Sequence, residues 1–234
     1  MVPLHGGLAD QADRLHHPVT APAGPGNYFA YTLREPVGVV GAIIAWNFPL
    51  LLVAWKLAPA LAAGNTVVLK PAEQTPLTAA LFAEVVREAG IPDGVVNIVH
   101  GGGEETGAAL VNHPGVDKVS FTGSTEVGRK IIQGAAGNLK KVTLELGGKS
   151  PPNIIFGDAD LDTAIPGAGM AIFLNQGEAC EAGGSRLFVH DSVYDEVVAG
   201  VADIARGFKL GNSLDPETTM GPVVSQAQLD TVLG

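Results

Sequence analysis

The chain has 234 residues, of which 46% are hydrophobic, and this is enough for one large domain or for one domain and part of another. The formal net charge of -10 argues against a nucleic acid or an anionic membrane surface as partner, because both would be repelled, and it favours a small-molecule substrate. The single cysteine cannot form an internal disulfide and no secretory leader pattern opens the chain, so we expect a cytoplasmic protein.

Residues 1–27 are rich in Gly, Pro, Ala and His with little periodicity, and we expect them to form a loose lead-in. Residues 37–64 are apolar enough to suggest a membrane span, with Asn47 and Lys56 as nearly the only strongly polar residues. However, Asn47, Phe48 and Pro49 divide this segment into stretches shorter than the roughly 20 residues that a bilayer needs. We therefore expect a strand followed by a helix, and a membrane anchor would require this segment to partition into detergent.

From residue 37 onward, short β-branched runs alternate with helical patterns, which predicts an α/β fold with a parallel sheet covered on both faces. Five buried strands are predicted, at residues 37–45, 66–69, 95–99, 118–121 and 141–144. Helices are predicted at residues 49–63 and 76–89, each with proline in its first turn and glycine after its end. Thr75 is the expected N-cap of the second helix, and a third helix should run from Ser124 to about residue 134.

Polar and glycine residues follow each predicted strand. In chain order they are Trp46 and Asn47, residues 70–73, residues 101–107, residues 122–124 and Glu145. Because the carboxyl ends of parallel strands face the ligand crevice of an open sheet, we expect these groups to converge at one edge. Such a group of polar and glycine residues indicates a nucleotide site.

Two of these groups are glycine-rich turns. Residues 101–107 lie where a strand turns into a helix and residues 123–128 open the next helix, so each can present backbone N–H groups to a pyrophosphate. Ordinary turn chemistry explains both as well, since neither matches the dinucleotide fingerprint closely. Lys70 and Glu73 suit contacts with ribose or phosphate, but a solvated loop is equally consistent with two residue types that mostly lie on surfaces.

Cys180 lies in the polar, glycine-rich run of residues 175–186. A lone cysteine is usually a small buried hydrophobic residue. The polar flanks favour a nucleophile instead, because a thiolate becomes reactive when cations, backbone amides or a base lower its pKa. None of the six histidines has metal-ligand spacing, so no metal site is predicted.

Five segments, taken in order, resemble signatures of the aldehyde dehydrogenase superfamily, which includes betaine-aldehyde, phenylacetaldehyde and retinal dehydrogenases. The segments are residues 36–40, 46–49, 69–76, 121–125 and 144–149, and the resemblance runs from about Asn27 to Gly234. It implies a Rossmann-like parallel-sheet cofactor domain at residues 28–146, incomplete at its N-terminal side, and the first part of an α/β catalytic domain at residues 147–234. The implied activity is oxidation of an aldehyde to a carboxylic acid with NAD, and NADP is an alternative cofactor.

The resemblance also implies roles for single residues. Cys180 would attack the aldehyde carbon, Glu145 would activate the water that hydrolyses the thioester, and Asn47 would donate to the oxyanion together with the Cys180 N–H. Cofactor-binding residues are implied at the adenosine ribose (Lys70, Glu73), the adenine side (Gly101, Gly103), the pyrophosphate (Gly123, Ser124) and Trp46.

The chain departs from the family pattern at three points near the cysteine. Glu178 stands where the family has glutamine, and one extra residue occurs at Gly183-Gly184 and another at Pro151-Pro152. Family chains are longer on both sides and form homo-oligomers through segments absent here. The chain is therefore interpreted as a fragment, and the alternative function is a non-catalytic dinucleotide-binding or interaction module.

Overall fold

The structure is a computed structural model that describes residues 33–148, 150, 152–179 and 184–234. The chain divides between Leu146 and Gly147 into two compact units. The assignment of residues 28–146 to a cofactor domain and of residues 147–234 to a catalytic domain stays a prediction. The predicted lead-in, residues 1–27, lies outside the described residues.

The first unit is built on a five-stranded parallel sheet. Its strands are β1 (Val39–Ile43), β2 (Thr66–Lys70), β3 (Val96–Ile98), β4 (Lys118–Gly123) and β5 (Lys141–Leu146), in the spatial order β3-β2-β1-β4-β5. Val39 pairs with Thr66 of β2, and Val40 pairs with Lys118 of β4. The chain therefore winds first to one side of β1 and then to the other, which opens a crevice at the carboxyl ends of β1 and β4.

All five predicted strands are present within two residues of their predicted ends. The expectation that all five are buried is wrong for β3 and β5, in which exposed residues alternate with half-buried ones. These two strands form the edges of the sheet. In β5, Val142 and Leu144 pack against the core, whereas Lys141, Thr143 and Glu145 are exposed on the other face. An edge position thus leaves one face of the strand uncovered.

Four helices connect the strands of the first unit. They are α1 (Pro49–Ala62), α2 (Leu77–Glu88), α3 (Ala108–Asn112) and α4 (Thr125–Ala135). Helix α4 begins one residue after the predicted start, and Ser124 caps it, because its Oγ accepts a hydrogen bond from the Val127 N–H at 3.2 Å. The prediction for Thr75 is wrong, since Pro76 occupies the N-cap position of α2. The Thr75 N–H instead donates to the Ala72 carbonyl at 3.2 Å, which places the threonine in the preceding turn.

The core of the first unit lies on both faces of the sheet, as the pattern of apolar strands predicts. One face is covered by α1 and α2, and its buried cluster is Val40, Ala42, Ile44, Leu52, Val53, Leu57, Val67, Leu69 and Ala79. The other is covered by α3 and α4, with a cluster of Ile43, Leu110, Val111, Val116, Val119, Phe121 and Ile131. Each fully buried aliphatic side chain stabilises the fold by about 1.5–3 kcal/mol, and together these clusters fix the strand ends that carry the site.

The second unit contains a parallel strand pair and three helices. The strands are β6 (Asn153–Ile155) and β7 (Leu187–Val189), and the helices are α5 (Leu161–Phe173), α6 (Tyr194–Gly207) and α7 (Gln226–Leu233). Ile155, Ala168 and Val197 form its buried cluster. Over the described ranges of both units, no helix has the length and apolar character that crossing a membrane requires.

Candidate functional site

A cavity of about 630 Å³ opens at the carboxyl edge of the first unit's sheet. Its volume falls within the range of small-molecule sites, and its position is the point where the winding direction changes at β1. Of the seven predicted cofactor-binding residues, the six that line it are Trp46, Lys70, Glu73, Gly103, Gly123 and Ser124. Groups from four of the five predicted strand ends therefore converge here, whereas the fifth, Glu145, does not line the cavity.

Lys70 is buried at the end of β2, so a solvated loop does not describe it. Only 2% of the residue is exposed, whereas the side chain of Glu73 is 48% exposed. The Lys70 Nζ donates to the Pro71 carbonyl and to Glu73 Oε1, both at 3.1 Å. A buried ammonium group requires such partners, because an unpaired charge is costly to remove from water. The pair presents one cation and one carboxylate to the cavity.

The Glu73 carboxylate is held in its ionised form. Partial burial raises its pKa, but hydrogen bonds from its own backbone N–H, from Lys70 and from the Gly103 N–H together lower the pKa below its usual value. Gly103 lies next to this carboxylate: a Cβ built there would be in van der Waals contact with Glu73 Oε1, at 3.7 Å. The ionised carboxylate is an acceptor suited to hydroxyl groups.

The turn after β3 depends on glycine. Gly101 has a φ of 145°, and a Cβ at this position would collide with the Thr106 hydroxyl oxygen. The chain then forms one π-helical turn, Gly103–Gly107, which leads directly into α3. Gly103 lines the cavity, but Gly101 does not. Gly101 thus shapes the turn, and a direct cofactor contact from it stays a prediction.

The N-terminus of α4 points toward the cavity. Gly123, Ser124 and Val127 line the cavity wall, and the Ser124 side chain occupies the Val127 N–H. The remaining N–H groups of a helix's first turn, with the partial positive charge of the helix dipole, favour an anion. This end of the cavity suits a phosphate group.

Two charged residues that the sequence analysis missed also line the cavity. Lys130 Nζ of α4 lies 3.9 Å from Oε1 of Glu104, which belongs to the π-helical turn, and both side chains are mostly exposed. Glu104 and Lys130 lie 26 residues apart in the chain and on different elements, so no local sequence pattern predicts that they pair. An exposed pair of this kind contributes little to stability.

The two predicted catalytic residues that the structure describes, Asn47 and Glu145, do not line this cavity. Asn47 is half-buried just before α1, and Glu145 is exposed within β5 rather than after it. Neither lines the cavity, and Cys180 lies outside the described residues. Their catalytic roles therefore remain predictions.

Lys56 is a further charged group that the sequence analysis did not assign to the site. It is half-buried in α1, where burial lowers its pKa, the negative charge of Glu145 raises it and the positive charge of Lys118 lowers it. Lys56 is the only charged residue of the apolar segment 37–64. This isolation is the feature of the sequence from which a role for Lys56 could have been suspected. It adds a cation near the predicted general base.

No group of three or more His, Cys, Asp or Glu side chains is arranged to hold a metal ion in the part of the chain that the structure describes.

The site is built from a Lys–Glu pair, a glycine turn and a helix N-terminus at the edge of a parallel sheet. A helix N-terminus and a glycine turn at the switch point of an open parallel sheet are typical of dinucleotide sites in α/β folds. The sequence profile of the aldehyde dehydrogenase family matches residues 6–234, and the chain belongs to this family. The family profile thus matches from residue 6, whereas the motifs in the sequence indicate the resemblance only from about Asn27 onward.

Known members of the family are similar over nearly the whole chain. Human retinal dehydrogenase 2 is 54% identical over 227 residues, which cover 96% of this chain and 43% of that protein. Human mitochondrial aldehyde dehydrogenase is 56% identical over 228 residues, which cover 97% of this chain and 43% of that protein. The structure of the NAD⁺ complex of aldehyde dehydrogenase from Bacillus cereus superposes on this chain with a TM-score of 0.90 and 50% sequence identity. The match covers 98% of this chain and 45% of that one. The chain thus spans less than half the length of these relatives.

Proposed function

We propose that the chain is the cofactor-binding and nucleophile-bearing part of an NAD-dependent aldehyde dehydrogenase, which oxidises a small-molecule aldehyde to a carboxylic acid. The observation that carries the proposal is the cavity at the sheet edge, with the buried Lys70, the ionised Glu73 and the capped N-terminus of α4 on its walls. Membership of the family and the NAD complex of a 50% identical relative support the same function.

The residues at the cavity fit NAD. Glu73 would accept hydrogen bonds from the hydroxyls of the adenosine ribose and Lys70 would hold that carboxylate in place. The N–H groups at Gly123 and Ser124 would face the pyrophosphate, where the helix dipole favours negative charge. When bound, NAD supplies the hydride acceptor.

The remaining chemistry is assigned to three side chains. The Cys180 thiolate attacks the aldehyde carbon and forms a thiohemiacetal, whose oxyanion accepts hydrogen bonds from the Asn47 amide and the Cys180 N–H. Loss of hydride from that carbon gives a thioester. Glu145 takes a proton from a water molecule, whose oxygen attacks the thioester carbon. The C–S bond then breaks, the carboxylic acid leaves, the Cys180 thiolate is restored and Glu145 releases its proton to solvent.

The presence of only one cysteine gives a direct test of this proposal. A thiol reagent that mimics an aldehyde should label the chain much faster than it labels a free thiol, and Cys180→Ala should abolish labelling, dehydrogenase activity and esterase activity. Esterase turnover near that of the parent in Cys180→Ala would overturn the role of Cys180.

A second candidate is a non-catalytic dinucleotide-binding or interaction module. It is favoured by the coverage of only 43% to 45% of the relatives' length. Calorimetry distinguishes the two functions, because NAD binding without accelerated labelling of Cys180 is the result expected for the module alone.

Glu145→Gln tests the step that consumes the thioester. We expect a single burst of NADH followed by turnover slowed by about 10²–10⁴-fold, because hydride transfer needs no general base whereas hydrolysis does. Stopped-flow absorbance measures both phases. A variant without any burst would show that Glu145 is needed before hydrolysis, and Glu84→Gln, an exposed residue of α2 outside the cavity, is the control.

Two further properties belong to the whole protein. We propose a cytoplasmic location, which cell fractionation tests, and a homo-oligomer formed through segments outside this chain, which light scattering of the longer protein tests.

A further inference from the structure

The segment between α5 and Cys180 has an uncommon backbone conformation. Asn175, Gln176 and Gly177 are all left-handed, with φ values of 51°, 59° and 75°. Glycine adopts this conformation freely, but two consecutive residues with side chains do so only where their surroundings enforce it. The contacts of this segment therefore need an explanation.

The two side chains that flank Gly177 reach the same loop of the second unit. The Gln176 amide is assigned the orientation in which its oxygen faces donors and its nitrogen faces acceptors. In that orientation the oxygen accepts a hydrogen bond from the Gly221 N–H at 3.3 Å, and the nitrogen donates to the Asn175 carbonyl at 3.0 Å. Oε1 of Glu178 accepts from the Val224 N–H at 3.4 Å. The segment is thus attached at two points to residues 221–224, which precede α7.

Further contacts make the attachment specific. The Glu178 N–H donates to the Asn175 carbonyl at 2.9 Å, which closes the left-handed turn on itself. Gly221 is packed tightly, since a Cβ there would lie 2.6 Å from Ser213 Oγ. Burial raises the pKa of Glu178, and the hydrogen bond from Val224 lowers it by less. The carboxyl group is therefore half-buried against the loop rather than extended into solvent.

We propose that Gln176 and Glu178 are positioning residues for the nucleophile: they anchor the left-handed turn to the backbone of residues 221–224 and so fix the chain two residues before Cys180. The inference deepens the proposed function and rests on it. A displacement of about 1 Å at a reacting group costs on the order of a hundredfold in rate, so an anchor this close in sequence has a large effect.

The test compares four variants of the 234-residue chain. Glu178→Leu and Gln176→Leu remove the acceptors, Glu178→Gln retains an oxygen that can accept from Val224, and Glu84→Leu changes an exposed glutamate of α2 as control. Two quantities are measured: the rate at which the aldehyde-mimicking reagent labels Cys180, relative to a free thiol, and hydrogen exchange at the Gly221 and Val224 amides.

We expect Glu178→Leu and Gln176→Leu to slow labelling by roughly tenfold or more and to speed exchange at the amide that each one releases. Glu178→Gln should restore both quantities to near the parent values, which a general loss of packing would not allow. Faster exchange with unchanged labelling, or unchanged exchange, overturns the positioning role. Labelling of the parent no faster than a free thiol would instead overturn the proposed function, and the positioning role with it.

Discussion

Glu73 combines two properties that bear on the choice of cofactor. Its carboxylate is held ionised beside Lys70, and it lies at the cavity where an adenosine ribose would bind. A 2′-phosphate brings about two negative charges. At about 4 Å and an effective dielectric of about 20, each pair of like charges costs on the order of 4 kcal/mol before rearrangement. Because the side chain is 48% exposed, solvent screening reduces this cost, so a preference for NAD is expected rather than exclusion of NADP.

Glu73→Gln should therefore shift the ratio of affinities toward NADP. Calorimetry with NAD and NADP on the parent and the variant measures the ratio, and Glu105→Gln, an exposed neighbour outside the cavity, is the matched control. Equal affinities in the parent, or a ratio that the variant leaves unchanged, would show that Glu73 does not set the choice.

Glu178 gives a pH-dependent prediction. Burial raises its folded-state pKa above the ordinary value of 4.5. The group therefore contributes stability that is fully present below pH 4.5 and is lost as the pH rises through the folded pKa. Urea unfolding should show Glu178→Gln gaining stability relative to the parent between acidic and neutral pH, while Glu84→Gln stays level with it. A constant difference across this range would contradict the assignment.

Single residues differ in how far the sequence alone could place them. Lys70 and Glu73 are three positions apart at the end of one strand, so their pairing is local and the motif predicts it. Lys56 and Glu145 come together only through the tertiary fold, as do Glu104 and Lys130. Charged residues that are far apart in the chain and pair only in the folded protein cannot be predicted from the periodicity of the sequence.

At the scale of elements, Lys140 connects α3 to the start of β5. It is 8% exposed, and its Nζ donates to the carbonyls of Val111 and His113, at 2.6 and 2.8 Å, where α3 ends. Lys140→Met should destabilise the chain by about 1–3 kcal/mol, because it leaves two carbonyls without this donor. Urea unfolding measures the loss, and Lys141→Met, the exposed neighbour, is the control. Equal stabilities for the two variants would contradict this role.

Periodicity predicted the strands and helices well, but it could not predict their environment. The β-branched runs identify β3 and β5 as strands, yet only pairing across the sheet makes them edges. Similarly, Thr75 has the chemistry of a cap, but the turn onto Ala72 uses its backbone and Pro76 begins the helix. Long-range pairing across the sheet decides the first case, whereas a competing local turn decides the second.

For the whole molecule, the topological rule for parallel sheets was the most informative part of the sequence analysis. It placed the polar strand ends at one edge, and the cavity lies there. The relation between that edge and the predicted nucleophile could not be derived, because it depends on packing between segments far apart in the chain.

Cofactor binding should stabilise the two units differently. NAD at about 100 times its dissociation constant adds about 2.7 kcal/mol to a unit that binds it only when folded. Hydrogen exchange should therefore slow at β1 and β4 amides such as Ile43 and Phe121, and change much less at Ile155 and Val197 of the second unit. Equal slowing in both units would contradict a site confined to the first.

The central position of β1 also affects how the chain is made. Strand β1 leaves the ribosome before both of its neighbours, and β4 follows about 75 residues later, which takes roughly 4–15 s at ordinary rates of synthesis. During that interval the run Val-Val-Gly-Ala-Ile, which contains neither charge nor proline, has an open edge. An open strand edge without charge or proline can pair with other chains. The yield of folded protein should therefore depend on how fast residues 44–118 are translated, and on chaperones that cover β1 until β4 arrives.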